Sequence, residues 1–270
     1  MGKTFFITGT GTDVGKTALS LAVVLWARHR GLRASYFKPI QCGEFPFGEP
    51  AVRGGDADWI RNLAGTNVRT QGFYRFRMAA SPHLAAEHEG ERIDRSLLSA
   101  QVKALSVESD LVIVEGSGGA AVPLDREGTS LAAWAADLGM PALIACAPGL
   151  GTLHHTLTTV AYLRGLAAPI AGFAFCHRGD GAKGDEGDEG DEREVKAEGN
   201  AARNVAWSPS LSLIADNRET LRSLTGLAFF GSLPFSMHTS RGIPMPSSEA
   251  EAWWAPLSAS LDSWWGAGRA

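Results

Sequence analysis

Nine residues near the start of the chain, Gly9 to Thr17 (GTGTDVGKT), constrain its fold more than any other stretch. The β-rich run Thr4 to Thr8 leads into them, and an apolar helical stretch, Thr17 to Arg30, follows. A glycine-rich turn between a strand and a helix presents backbone N–H groups at a helix N-terminus, where the helix dipole also favours anions. In that setting Lys16 reaches the β- and γ-phosphates of a nucleoside triphosphate, and the Thr17 hydroxyl ligates Mg²⁺. The usual spacing is GxxxxGK[ST]. Here position 10 is threonine and the first glycine is Gly9, so the loop is one residue longer. The alternative is an ordinary glycine turn, and the intact Gly15-Lys16-Thr17 between strand and helix argues against it.

A phosphate-binding loop needs a parallel sheet behind it, and the pattern downstream supplies one. Gly31 is a plausible stop for the first helix. Ala34 to Ile40 reads as a strand, and Asp56 to Ala64 and Ile93 to Ser106 as helices. Asp110 to Glu115 (DLVIVE) is a continuous apolar run ending in a carboxylate, as a buried parallel strand would be. Leu131 to Leu138 and Thr152 to Leu166 read as helices; Ala142 to Cys146 and Ile170 to Cys176 read as buried strands. The alternation predicts a single doubly wound α/β domain over residues 1–235, its sheet mostly parallel and covered by helices on both faces.

Two segments break the pattern. Arg178 to Gly199 is acidic and low in complexity, with GDE three times in succession over Gly184 to Glu192. With almost no apolar residue it cannot offset its ordering entropy by burial, so 178–209 is expected to be a mobile surface insertion. An acidic docking segment is the functional alternative. Residues 236–270 form a tryptophan-rich extension in which Trp254, Leu257, Leu261 and Trp264 fall at helical spacing. That stripe is expected to pack on the body or on a second subunit.

Composition excludes several classes. The 270 residues carry 25 basic and 29 acidic side chains, a net charge of −4, which gives no electrostatic case for nucleic acid. The three cysteines, Cys42, Cys146 and Cys176, form no CxxC and no even-numbered framework, so a reduced, cytoplasmic setting is expected. The start, MGKTFFITG, lacks the pattern of a signal segment, and no apolar run is long enough for a membrane span.

Magnesium needs more oxygen ligands than one hydroxyl. Glu115 ends its strand at the carboxyl edge, where ligands bind in such sheets, either as a metal ligand or as a solvated strand end. Asp56 lies in GGDAD at the opening of a helix, either as a second ligand or as a helix N-cap. Lys38, in FKPIQCG at a strand end, holds a second anion, or steadies a transferring phosphoryl group, or is a surface lysine.

Taken together, ordered segments over residues 3 to about 235 resemble the dethiobiotin synthetase family. The loop GTGTDVGKT, with five residues between glycine and GKT, is similar to that family's loop. So are Lys38-Pro39-Ile40-Gln41-Cys42-Gly43, Ser81-Pro82-His83, Glu115-Gly116-Ser117-Gly118-Gly119 with Pro123-Leu124 after it, Gly149 to Leu157, and the Gly231 to Pro234 turn. The resemblance implies a homodimer that makes dethiobiotin from 7,8-diaminononanoate, CO₂ and ATP or another nucleoside triphosphate. It implies that Lys16, Lys38 and Thr12 serve catalysis. Asp13, Val14, Gly15, Lys16, Thr17, Ala18, Asp56, Glu115, Cys176 and Pro234 would then face the nucleotide, with Thr17, Asp56 and Glu115 holding Mg²⁺. Thr12, Cys42, Gly118, Gly151 and Thr152 would face the substrate, the last two from the partner subunit at a helix N-terminus suited to a carboxylate.

The sequence departs from the family at four places. Gly11 replaces an acidic residue, Cys42 a serine or threonine, and His154 an asparagine. Cys176-His177 stands where a base-reading asparagine ends the family's strand, so a relaxed choice among ATP, CTP and GTP is expected. Three rivals stand beside this reading. A cobyrinate diamide synthase-like enzyme would need a glutaminase domain, for which the chain has no room. A partitioning or positioning ATPase carries a lysine where Gly11 stands. A degenerate homologue would fit the changes at 42, 154 and 176, but Lys16, Thr17, Lys38, Asp56 and Glu115 are all retained.

Overall fold

A computed structural model describes residues 1–43, 55–65, 67–177, 211–236 and 244–267. The acidic stretch 178–209 lies outside the described residues.

The first half runs β1 (Lys3–Gly9), α1 (Lys16–His29), β2 (Ala34–Cys42), α2 (Asp56–Ala64), β3 (Arg69–Phe76), α3 (Pro82–His88), α4 (Arg95–Glu108) and β4 (Leu111–Glu115). The second runs α5 (Leu131–Asp137), β5 (Ala142–Cys146), α6 (Thr152–Gly165), β6 (Ile170–Cys176), α7 (Leu211–Thr225) and β7 (Phe229–Leu233). Two further helices, α8 (Ser247–Trp254) and α9 (Ser258–Gly266), are joined by a 3₁₀ turn, Ala255–Leu257. The sheet has seven strands in the order β3-β2-β4-β1-β5-β6-β7, and every neighbouring pair is parallel. The sequence pattern had predicted a mostly parallel sheet; the described strands are wholly so. Strand order reverses about β1, which places the carboxyl end of β1 at the topological switch point where ligands bind.

The sheet is buried on both faces because its strands are apolar at every position rather than at alternate ones. Along β1, Phe5 and Ile7 enter one core and Phe6 the other. Along β4, Leu111 and Ile113 join the first core, Val112 and Val114 the second. The first core is closed by α1, α2, α8 and α9; the second takes residues from α3, α4, α5, α6 and α7. Helix α1 is apolar nearly all round because the sheet lies under it and α8 over it. The Trp26 indole donates to Asp262 Oδ1 at 3.0 Å, tying α1 to α9.

Four elements were not expected. β3 is an edge strand with only one buried residue, and its polar run RTQGFYRF hides the strand pattern. α3 has seven residues, and α7 buries only Asn217, Leu221 and Thr225. β7 is the other edge, and a Cβ at its Gly231 would meet the Pro256 carbonyl oxygen at 2.3 Å, so the extension presses directly on it. Boundaries moved for local reasons. α4 starts at Arg95 rather than Ile93 because Asp94 caps it, accepting from the Ser96 N–H at 2.8 Å. β2 does not stop at Ile40. Pairing with β4 ends at Phe37↔Val114, and β3 carries the strand on through Lys38↔Gly72 and Ile40↔Tyr74, leaving Pro39, which has no N–H, out of the ladder.

The C-terminal stripe is also corrected. It spans two helices rather than one, because Pro256 falls in the 3₁₀ turn between them. Trp254, Leu257 and Leu261 are buried in the first core, and Trp264 stacks on Phe5 with ring centroids 3.6 Å apart. The stripe is satisfied by the chain's own body.

Candidate active site

The loop after β1 closes on itself before any ligand is considered. Thr10 N–H donates to the Ala145 carbonyl at 3.1 Å, which holds the loop over the end of β5. Asp13 and Gly15 adopt φ of 55° and 94°. Gly15 is constrained twice, since a Cβ there would also lie 2.4 Å from Cys176 Cβ. A Cβ at Gly9 would strike Val14 at 2.6 Å and the Lys16 stem at 3.0 Å. Lys16 therefore folds back along the loop, and its Nζ donates to the Gly11 carbonyl at 2.7 Å. Burial and then the nearby Lys38 charge pull the Lys16 pKa down to about 8.

Beside the loop lies a buried polar cluster built on Glu115. The register Ile7↔Glu115 sets this residue next to the end of β1, and its side chain is 0% exposed. A solvated strand end is thereby ruled out. Its Oε2 accepts from Ser20 Oγ at 2.7 Å and from Tyr36 OH at 2.9 Å. Its Oε1 accepts from Thr17 Oγ1 and from Lys38 Nζ, both at 2.9 Å. Tyr36 and Lys38 reach it together because residues two apart on a strand share a face. Thr17 and Ser20 do so because residues three apart on a helix are neighbours.

Lys38 is buried, so it is no surface lysine. Its ammonium donates to Glu115 Oε1, to Asp56 Oδ2 at 2.7 Å and to the Gly116 carbonyl at 3.0 Å, which uses all three donors. Burial alone would lower its pKa; the Glu115 and Asp56 charges and hydrogen bonds outweigh that and raise it. Asp56 is the first residue inside α2 and Gly55 the cap, so the N-cap alternative falls away. The Asp56 N–H donates to Gln41 Oε1 at 3.1 Å, which fixes the helix start against β2. Burial first, then the Glu115 and Asp56 charges, keep the Tyr36 phenol well above its ordinary pKa.

The remaining expected residues lie at different depths. The glycine turn after Glu115 lies against the phosphate loop, since a Cβ at Gly119 would sit 3.5 Å from Gly11 Cα. Gly118 takes φ of 67°. The Ser117 hydroxyl donates to the Ile40 carbonyl, binding that turn to β2. Cys42 ends β2 half-buried, and burial pushes its thiol up to about 11. Thr12 and Asp13 are exposed on the loop, whereas Val14 is buried and Ala18 packs against the first core. Gly151 caps α6 with φ of 88°, and the buried Thr152 Oγ1 finds no hydrogen-bond partner among the described residues. These two open α6, the helix that follows β5. Asn217, a residue the sequence reading did not single out, is buried and donates to the Pro148 carbonyl at 3.0 Å, holding the turn before α6.

At the end of β6, Cys176 is 2% exposed and lies beneath Gly15 in the core. His177 follows it half-buried, its N–H donating to the Leu233 carbonyl at 3.0 Å and its pKa lowered by burial. Pro234 is exposed, and its carbonyl accepts from the Trp253 indole at 2.7 Å.

Ser20, Tyr36 and Gln41 were missed. Ser20 lies one helical repeat from Thr17 and Tyr36 one strand repeat from Lys38, and Gln41 stood inside the segment Lys38 to Gly43 without being singled out, so the signal was present but unremarkable. Among the described residues no three His, Cys, Asp or Glu side chains converge as a metal site. No helix of the described residues is long and apolar enough to cross a membrane.

The sequence profile of a family described as an AAA domain matches residues 3–241. The chain is 36% identical over 178 residues to an ATP-dependent dethiobiotin synthetase of Geobacillus sp. (strain WCH70), covering 65% of this chain and 73% of that protein. It is 39% identical over 157 residues to one of Aliivibrio fischeri (strain MJ11), covering 57% and 69%. Among solved structures, the cell division ATPase MinD of Pyrococcus furiosus superposes with a TM-score of 0.56 at 16% identity, covering 98% of this chain and 100% of that one. At that identity the likeness shows the fold alone. The matched stretch 3–241 contains every residue that meets at Glu115, and on relatives of this identity and coverage the chain belongs to the dethiobiotin synthetase family.

Proposed function

We propose that this chain uses ATP to close the cyclic urea of dethiobiotin on 7,8-diaminononanoate and CO₂. The carrying observation is Lys38, held in a buried cluster with Asp56 and Glu115 beside the Lys16 loop. One amine of the substrate takes up CO₂ as a carbamate and releases a proton. A carbamate oxygen then attacks the γ-phosphorus and the bond to the β-phosphate oxygen breaks, leaving ADP and a carbamic–phosphoric anhydride. The second amine attacks the carbonyl carbon and gives up a proton to solvent, the ring closes, and phosphate leaves with the carbon–oxygen bond electrons. Phosphoryl transfer of this kind is mostly positioning and charge neutralisation. Lys16 and Lys38 supply two ammonium groups for the carbamate and the transferring phosphoryl group. Backbone N–H groups from Asp13 to Gly15 face the phosphates, and Thr12, Cys42 and Gly118 face the diamine.

The donor set fits magnesium. Thr17, Asp56 and Glu115 offer oxygen only, and Mg²⁺ is commonly held by one or two carboxylates with substrate phosphates completing its shell. When bound, it supplies positive charge against the phosphate oxygens.

Gly151 and Thr152 complete the site of the partner in a homodimer. Leu150 beside them is 85% exposed, and the Thr152 hydroxyl is buried without a hydrogen-bond partner among the described residues. The three free cysteines suit the cytoplasm, where thiols stay reduced. At the base end Cys176 is occupied in packing against Gly15, which leaves His177 and Pro234 beside the base and a relaxed base preference.

One assay tests product and base together. Purified protein is given diaminononanoate, bicarbonate, Mg²⁺ and ATP, CTP or GTP in turn, with dethiobiotin detected by mass. Dethiobiotin from more than one nucleotide is expected. No dethiobiotin with any nucleotide would overturn the activity; a strong ATP preference would overturn the relaxed base reading alone.

A further inference from the structure

The three proposed magnesium ligands already surround a cation. Lys38 Nζ lies 2.7 Å from Asp56 Oδ2 and 2.9 Å from Glu115 Oε1, and that same Oε1 accepts the Thr17 hydroxyl at 2.9 Å. The ammonium thus occupies the ground between the oxygens that a metal would need. Two carboxylates, one wholly buried, repel one another strongly when no cation sits between them.

The two oxygens of Glu115 are used differently. Oε2 is held by two neutral donors, Ser20 and Tyr36, neither of which has reason to leave when charge arrives. Oε1 carries the charged partner and the Thr17 hydroxyl. One oxygen anchors the side chain and the other exchanges partners. Glu115 can therefore pass from ammonium to metal without losing its orientation.

We infer that Lys38 is the tethered counter-cation of this site, and that its ammonium and Mg²⁺ compete for Asp56 and Glu115 until a triphosphate draws the ammonium away. The inference rests on the ligand reading above. Its consequence is coupling. The metal alone binds weakly, because it must expel an ammonium that is paired with both carboxylates. With the triphosphate present, the ammonium moves to the phosphate oxygens as the metal takes the carboxylates. Lys38 then reaches the transferring group only in the loaded site, which ties its catalytic placement to nucleotide and metal together.

The test measures Mn²⁺ binding by electron paramagnetic resonance on the full chain without nucleotide. Lys38→Met is expected to bind Mn²⁺ at least tenfold more tightly than the unaltered chain, and 50 mM methylammonium should reverse much of the gain in Lys38→Ala. Equal or weaker Mn²⁺ binding by folded Lys38→Met would overturn the inference. A second measurement needs no variant. With lysine labelled at Cε and Nζ, the Lys38 resonances should hold at 1 mM Mg²⁺ and shift when inorganic tripolyphosphate is added with it. No shift under either condition would also overturn it. If neither the chain nor its variants bind Mn²⁺ even with tripolyphosphate, the ligand reading itself fails, and the competition with it.

Discussion

Replacing Gly15 by alanine sets two separate penalties against each other, and the structure allows them to be measured apart. The first is conformational. Gly15 caps α1 at φ 94° and ψ 23°, and an L-residue in the left-handed region costs about 1–2 kcal/mol. The second is steric. The new Cβ would lie 2.4 Å from Cys176 Cβ and 3.2 Å from its Sγ, so loop and strand must part; overpacking of this kind costs about 1–3 kcal/mol. The sum is about 2–5 kcal/mol, read as a lower urea midpoint by tryptophan fluorescence. A double-mutant cycle separates the two. Cys176→Gly removes the Cβ that is struck and should return the steric part as a coupling of about 1–3 kcal/mol. Cys176→Ala keeps that Cβ and should return almost nothing. The conformational part should persist in both. A loss within about 0.5 kcal/mol for Gly15→Ala, or equal coupling with Ala and Gly at 176, would refute the reasoning.

Tyr36→Phe deletes one donor to the buried Glu115 carboxylate without changing the ring, and should cost about 1.5–3 kcal/mol in urea unfolding; an unchanged midpoint would remove Tyr36 from the cluster. Leu261→Ala on α9 should cost about 2–5 kcal/mol, since Leu261 is fully buried against the first core; a surface-like effect in thermal melts would detach the extension from it. The Cys42 thiol, raised to about 11, should react with iodoacetamide at pH 8 roughly a hundredfold more slowly than an ordinary thiol of pKa 9, as counted by mass spectrometry. The folded chain keeps that proton where the unfolded chain loses it. Cys42 therefore contributes stability below about pH 9 that is lost as pH rises towards 11, and Cys42→Ser should flatten that part of the pH–stability curve.

The sequence alone determined the parts of this protein that depend on neighbours in the chain. The strand, the glycine turn and Gly15-Lys16-Thr17 lie within a few residues of one another, so local geometry and phosphate chemistry could be read directly. Buried strands such as Leu111–Glu115 were legible because burial on both faces leaves an unbroken apolar run. The edge strand Arg69–Phe76 was not, because one neighbour and partial exposure permit polar residues. Tertiary structure decided everything that rests on distance in space. Asp56 and Lys38 each carried an ordinary structural explanation until the ammonium was seen 2.7 Å from the carboxylate. Tyr36 and Ser20 had no local mark, since what gives them meaning is Glu115, 79 and 95 residues away. The tryptophan-rich extension was ambiguous between two surfaces, and only packing on β1, α1 and β7 assigned it to the chain's own core. Apolar periodicity says that a face must be buried; which surface buries it is fixed only when all the elements compete for the same space.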